Sequence, residues 1–99
     1  MIRIDPYKLL SEFNFIKISD NIYQTAFIKL NITEDNISDT VSIIATDMSS
    51  NKEIFNIINI NEDEFKNSLD MAIYFNNVIA KRGSDFLFNY IKEDRKSVV

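Results

Sequence analysis

The segment that decides the fold is 61–83, which reads NEDEFKNSLDMAIYFNNVIAKRG. Asn61 is a favourable N-cap residue, and Glu64 stands three residues later at the capping-box position. Acidic residues fill the first turn and basic residues the last, so the charges at both ends suit the helix dipole. Gly83 supplies a C-terminal stop. The segment therefore predicts a helix over residues 62–82.

The apolar residues of this helix recur at helical spacing and predict which face is buried. We expect a second helix to follow over residues 85–95, with Ser84 as its N-cap. The inward stripe of the long helix is predicted to comprise Phe65, Leu69, Ala72, Ile73, Ile79 and Ala80, and it is widened by Met71, Tyr74, Phe75 and Val78.

Upstream of the long helix, the chain begins with a short helical pattern and continues with strand patterns. Asp5 is a favourable N-cap and Pro6 suits the first helical position, so a helix is expected over residues 6–14. Strands are predicted over residues 15–18, 22–32, 40–46 and 53–60. A helix over 52–58 is the alternative for the last of these segments.

Alternation along the strands predicts their register. In 22–32 the even positions are mostly apolar, which favours the even side chains pointing inward. The same parity in 15–18 places Ile18 opposite Ile22, joined by a three-residue loop in which Asn21 is expected to be left-handed. Segment 53–60 is apolar at both parities, as in a strand that is buried on both faces or exposes hydrophobic side chains.

This order of elements predicts an α+β fold in one domain, residues 1–99. The expected architecture is an antiparallel four-stranded meander sheet with an N-terminal helix and two C-terminal helices packed on one face.

The composition argues against an enzyme. The chain has no histidine, no cysteine and one glycine, so the usual proton shuttle, the usual transition-metal ligands and a glycine-rich phosphate loop are all lacking. We therefore expect no catalytic residues, no cofactor and no metal site.

The charge and the N-terminal sequence narrow the class further. A formal net charge of −4 disfavours direct binding to nucleic acid or to an anionic membrane. No signal peptide or membrane span is visible, so we expect a cytoplasmic protein. The abundance of Ile, Asn, Lys, Phe and Tyr is typical of AT-rich codons and suggests a low-GC genome, such as that of a phage or another mobile element.

Two surfaces are predicted to carry partner contacts. In a four-stranded meander, the end of the first helix, the loop 33–39 and the junction 61–64 meet at one end of the sheet. The carboxylates there form an acidic rim suited to a basic partner, although helix capping and loop solvation alone explain these residues. The residues of this rim are Glu12, Glu34, Asp35, Asp39, Glu62, Asp63 and Glu64.

The second predicted surface is the sheet face turned away from the helices. With even residues inward, Phe15, Tyr23 and Phe27 point outward, which gives an aromatic centre typical of a protein interface. Two alternatives remain open for this face: the last helix covers it, or two copies of the chain form a homodimer through it.

The helix–strands–helices order and the acidic charge resemble those of small phage-encoded inhibitors of CRISPR effectors. The resemblance rests on element order and charge, with no shared motif. It implies a non-enzymatic inhibitor that acts in the host cytoplasm by blocking a basic, nucleic-acid-handling protein. The alternatives are a toxin-immunity protein and a structural or adaptor subunit that self-associates through its apolar sheet face.

Overall fold

A computed structural model describes the backbone of residues 5–98 and the side chains of residues 5–92. The elements in chain order are α1 (Pro6–Leu10), β1 (Ile16–Lys17), β2 (Ile22–Gln24), β3 (Ile28–Asp35), β4 (Thr40–Asp47), β5 (Glu53–Ile60), α2 (Glu62–Arg82) and α3 (Ser84–Val98). The five strands form one antiparallel sheet in the order β1-β2-β3-β4-β5. The predicted α+β meander is therefore confirmed.

The sheet has five strands and not four, because the predicted strand 22–32 is two strands joined by a tight turn. Thr25 closes this turn: its hydroxyl accepts hydrogen bonds from the N–H groups of Phe27 and Ile28, at 3.0 and 3.1 Å. A threonine oxygen that binds backbone N–H groups two or three residues ahead favours a turn over a continuing strand.

The turn also reverses the predicted side-chain parity in β2. Tyr23 lies directly opposite Leu30, so an odd residue of β2 shares a face with an even residue of β3. Both side chains are buried. The expectation that Tyr23 points away from the helices was therefore wrong, and Phe15 is buried for the same reason, whereas Ile16 and Ile18 of the first hairpin are exposed.

The predicted register of the first hairpin is confirmed. The N–H of Ile18 donates to the carbonyl of Ile22 across a three-residue loop. The left-handed conformation expected at Asn21 is not found, since the non-glycine residues with positive φ are Asn14, Asp39, Asn51 and Asn59 among the described residues.

β5 is a strand, as predicted, and two register shifts explain its apolar residues of both parities. Phe55 and Ile57 pair with the inward residues of β4, while Ile54 and Ile60 are also buried. Asn59 lies between Ile57 and Ile60, where one of the shifts occurs, and takes a left-handed conformation. Such bulges move successive side chains onto the same face, which a regular strand does not allow.

α2 has the predicted bounds and supplies much of the core. The capping box of Asn61 and Glu64 is present, and the cap residue Gly83 has φ of 90°. Four residues differ from the predicted stripe, since Tyr74 and Ala80 are exposed whereas Ser68 and Asn76 are buried. The buried apolar cluster comprises Leu10, Phe15, Tyr23, Ile28, Leu30, Ile32, Val41, Ile43, Ala45, Ile54, Ile60, Phe65, Leu69, Ala72, Ile73, Ile79 and Leu87.

The two remaining helices differ from prediction at their ends. α1 ends at Leu10 and continues as a 3-10 turn to Phe13, with Asn14 left-handed after it. α3 begins at Ser84 and extends to Val98, beyond the expected end at residue 95. Ser84 is the first residue of α3 and not its N-cap. Its hydroxyl donates a hydrogen bond to the carboxylate of Asp47, at the end of β4.

Candidate functional site

The topology brings three acidic segments to one end of the sheet. In an antiparallel meander, the loop 19–21, the β3–β4 turn and the start of α2 all fall at the end where β1, β3 and β5 finish. Asp20 and Glu34 line one depression of about 170 Å³ together with Pro6 and Phe65, which places these segments side by side. We call this the acidic end.

The acidic end differs in one member from the predicted rim. Because the sheet has a fifth strand, the chain after α1 enters β1 at the opposite end, so Glu12 leaves the group and Asp20 joins it. Segments 19–21, 34–39 and 61–64 contain no lysine or arginine. Their acidic residues are Asp20, Glu34, Asp35, Asp39, Glu62, Asp63 and Glu64, of which Glu62 is half-buried and the others are exposed.

The β3–β4 turn at the acidic end is organised by one aspartate. The carboxylate of Asp35 accepts hydrogen bonds from the N–H groups of Ile37 and Ser38, at 3.0 and 3.4 Å. The bond from Ile37, followed by those from Ser38, holds the pKa of Asp35 below its usual range. Asp39 then takes the left-handed conformation, with φ of 58°, and the chain enters β4. Asp35 is thus both a surface charge and the support of the turn.

An isoleucine projects from the tip of this turn. The side chain of Ile37 is 99% exposed and stands between Asp35 and Asp39 in the sequence. A single exposed apolar side chain is common on protein surfaces. Its position at a hairpin tip surrounded by carboxylates combines an apolar anchor with negative charge. The sequence reasoning overlooked Ile37, although an isoleucine within a polar loop was visible as an anomaly.

The opposite end of the sheet holds the carboxylate of Asp47 inside the protein, and we call it the closed end. Asp47 is 1% exposed, and its carboxylate accepts hydrogen bonds from the hydroxyls of Ser49, Ser50 and Ser84 and from the N–H of Ser50. Burial raises the pKa of Asp47, but these hydrogen bonds outweigh it and hold the pKa below its usual range. This network ties the β4–β5 turn to the start of α3.

A second polar contact, partly buried, lies at the closed end. The hydroxyl of Thr25 donates to the side-chain oxygen of Asn76, at 2.6 Å, so the β2–β3 turn is attached to the middle of α2. Asn76 is 8% exposed. Among the described residues, no buried side-chain nitrogen or oxygen lacks a hydrogen-bond partner.

Within the part of the chain that the structure describes, no helix packs on the sheet face turned away from α2 and α3. α3 packs on the other side, because its Leu87 joins the buried cluster with α2 and the inward strand residues. Of the three aromatic residues predicted on the outer face, Phe15 and Tyr23 are buried inward and Phe27 lies in the β2–β3 turn, 38% exposed. The face instead carries isoleucines between polar residues: one row across the strands reads Ile18, Ile22, Asn31, Ile44 and Asn56.

A groove of about 430 Å³ lies between α2 and α3, and the sequence analysis did not anticipate it. Its three aromatic side chains are exposed to solvent, Tyr74 at 55%, Phe86 at 39% and Tyr90 at 49%. Lys81 and Arg82 give it a positive border, and the guanidinium of Arg82 lies 4.1 Å from the centre of the Phe86 ring. We call this the helical groove.

Two further properties of the described residues bear on function. They contain no group of three or more His, Cys, Asp or Glu side chains arranged to hold a metal ion. No helix among them combines the length and apolar character needed to cross a membrane.

Comparisons of the chain with protein-family models, with curated proteins and with solved structures find no match.

Proposed function

We propose that this chain is a non-enzymatic protein-binding module that inhibits a basic, nucleic-acid-handling protein through its acidic end. A phage or another mobile element is the proposed origin, and the host cytoplasm the proposed place of action. The observation that carries the proposal is the meeting of three acidic segments, without a lysine or arginine in them, around the exposed tip of the β3–β4 turn.

The negative charge of the acidic end supports binding to a basic partner. A protein that handles nucleic acid presents a basic surface to the phosphate backbone. Carboxylates gathered on a rigid scaffold compete for such a surface and speed association by electrostatic steering. A row of exposed acids can also serve solubility alone, so the proposal needs a test that separates local charge from net charge.

The tip residue adds an apolar contact to the electrostatic one. Charged pairs at the rim of an interface contribute mainly to association rate, whereas a buried apolar anchor slows dissociation. Ile37 is placed to enter a pocket of the partner while Glu34 and Asp35 face its basic border. Under this proposal, Ile37→Ser raises the dissociation rate and leaves the association rate nearly unchanged.

The test compares two double variants with the same net charge. Asp20→Lys with Glu34→Lys reverses two exposed acids of the acidic end. Glu53→Lys with Asp70→Lys reverses two exposed acids elsewhere and serves as the control. Asp35 is left unchanged because its hydrogen bonds support the turn.

The partner is first isolated from host lysate with the wild-type chain as bait and identified by mass spectrometry. Surface plasmon resonance at two salt concentrations then measures each variant against the purified partner. We expect the acidic-end variant to lose about tenfold or more in association rate at low salt, and the control to lose far less. Equal losses in the two variants would mean that only net charge matters.

The alternative function is self-association or partner binding through the outer sheet face. It is favoured by exposed isoleucines there, Ile16 at 59% and Ile58 at 64%. Ile58→Ser tests it, because alternation from the pair of Asn56 with Ile44 places Ile58 on that face. Binding that survives both charge variants but is lost in Ile58→Ser would assign the function to the sheet face, as in the immunity or adaptor hypotheses.

A further inference from the structure

The helical groove and the tip of the β3–β4 turn are complementary to each other. The groove offers an apolar and aromatic floor from Tyr74, Val78, Phe86 and Tyr90, with Lys81 and Arg82 at its border. It therefore suits a segment that carries an apolar side chain next to carboxylates. The tip is such a segment, since Ile37 is 99% exposed and follows Glu34 and Asp35.

We propose that the helical groove binds the β3–β4 tip of a second copy of this chain. Ile37 of one copy enters the groove of its neighbour, and the carboxylates of Glu34 and Asp35 lie near the neighbour's Lys81 and Arg82. This inference is independent of the proposed function, because it concerns the chain in the absence of any other protein.

The tip and the groove of one molecule lie too far apart to meet. α2 starts at the acidic end, and Lys81 follows its first residue by 19 positions, which at 1.5 Å per residue is roughly 28 Å along the helix. The greatest dimension of the molecule is 36 Å. The contact therefore forms between copies, since each copy carries the exposed Ile37 at one end and the helical groove near the other.

This arrangement determines the kind of assembly. An interface between two different surfaces of the same chain is heterologous, so it produces open chains of molecules or closed rings. A contact built on one aliphatic side chain and a few exposed ion pairs is small, and it is expected to be weak and sensitive to salt. The assembly is therefore expected at high protein concentration and low ionic strength.

The experiment is sedimentation equilibrium of the purified chain over a concentration series, at low and high salt. At low salt the average mass is expected to rise with concentration above the monomer value of 11.6 kDa, beyond the dimer, and to fall back when salt is added. Two single variants each remove one half of the contact: Ile37→Ser at the tip and Tyr74→Glu in the groove. Each alone is expected to remain monomeric, and circular dichroism checks that both are folded.

Mixing the two variants gives the decisive measurement. Ile37→Ser retains an intact groove and Tyr74→Glu retains an intact tip, so the mixture is expected to form a heterodimer and nothing larger. A wild-type chain that stays monomeric at millimolar concentration and low salt would overturn the proposal. So would a mixture that stays monomeric under conditions in which the wild type associates.

The sheet face supplies the control variant. Ile58→Ser leaves the tip and the groove intact and is expected to associate as the wild type does. If Ile58→Ser alone abolished association while Ile37→Ser did not, the copies would be meeting through the sheet face, and the proposed contact would be wrong. Loss of self-association in Ile37→Ser supports the proposed contact between copies whatever that variant does to partner binding. An unchanged dissociation rate of Ile37→Ser from the partner would instead contradict the role of Ile37 in the proposed function.

Discussion

The two ends of the sheet use aspartate in the same local role but in opposite surroundings. At the acidic end Asp35 accepts hydrogen bonds from two backbone N–H groups of its turn and remains exposed to water. At the closed end Asp47 accepts hydrogen bonds from Ser49, Ser50 and Ser84 and is buried.

This difference separates residues that stabilise the fold from residues that are available to contact another molecule. A buried carboxylate stabilises the fold only while all its partners are present, so the closed end tolerates little change. An exposed turn carries few long-range interactions, and its side chains remain available to another molecule. We therefore expect substitutions in the hydrogen-bond network of the closed end to affect unfolding, and substitutions of exposed side chains in the β3–β4 turn to affect binding.

The largest expected effect comes from a substitution in α2, the helix that packs beneath both ends of the sheet. Leu69 is fully buried in the middle of α2, and Leu69→Ala leaves a cavity that costs about 2–5 kcal/mol. Urea unfolding followed by circular dichroism measures this free energy. A loss below about 0.5 kcal/mol, the usual effect of a surface substitution, would contradict the inward position of Leu69.

The second prediction concerns the hydrogen-bond network of the closed end. Asp47→Ala removes the acceptor of four hydrogen bonds and detaches the β4–β5 turn from α3, so we expect a loss of about 2–3 kcal/mol. Asp35→Ala is the matched control at the acidic end and is expected to cost much less, because water replaces the lost acceptor. Equal losses in urea unfolding would remove the distinction between the two ends.

A third prediction concerns the helix start at the acidic end. The side-chain oxygen of Asn61 accepts a hydrogen bond from the N–H of Glu64 at 2.9 Å. Asn61→Ala is expected to cost about 1 kcal/mol, and Asn61→Asp, which keeps the acceptor, to cost little. The same unfolding experiment distinguishes them, and an unchanged stability in Asn61→Ala would mean that water caps the helix equally well.

The smallest expected effect is a difference in pH dependence. The pKa of Asp47 is lowered in the folded state, so its contribution to stability is present above the pKa of the unfolded chain and is lost as pH falls through the folded value. Acid is therefore expected to destabilise the wild type below about pH 4 more steeply than Asp47→Asn. Unfolding free energies measured across this range provide the check, and parallel profiles would contradict it.

Regular, locally specified elements were predictable from the sequence. The bounds of α2 follow from Asn61, Glu64 and Gly83, which act within a few residues of each helix end. The turn at Thr25 was missed because segment 22–32 alternates like one strand. The hydrogen bond from the N–H of Ile28 to the Thr25 hydroxyl, which favours a turn, is not visible in that alternation. That single turn adds a strand, moves Tyr23 into the core and exchanges Glu12 for Asp20 at the acidic end.

The candidate surfaces were predictable in part, for a related reason. Carboxylates in turns and at the helix start are visible in the sequence, and strand order then places them together. The helical groove depends on the angle between α2 and α3 across Gly83, which no local pattern specifies. The burial of Asn76 was not predictable from local sequence either, since its side chain is hydrogen-bonded to Thr25, 51 residues away.

The bulges of β5 have a consequence for how this protein meets other chains. A straight edge strand invites another chain to add its own strand by backbone hydrogen bonding, and fibrils grow in this way. β5 has two register shifts and a left-handed residue at Asn59, and the other edge, β1, is two residues long. Neither edge offers a long, regular template, so contacts of this chain are expected to be made by side chains and to remain reversible.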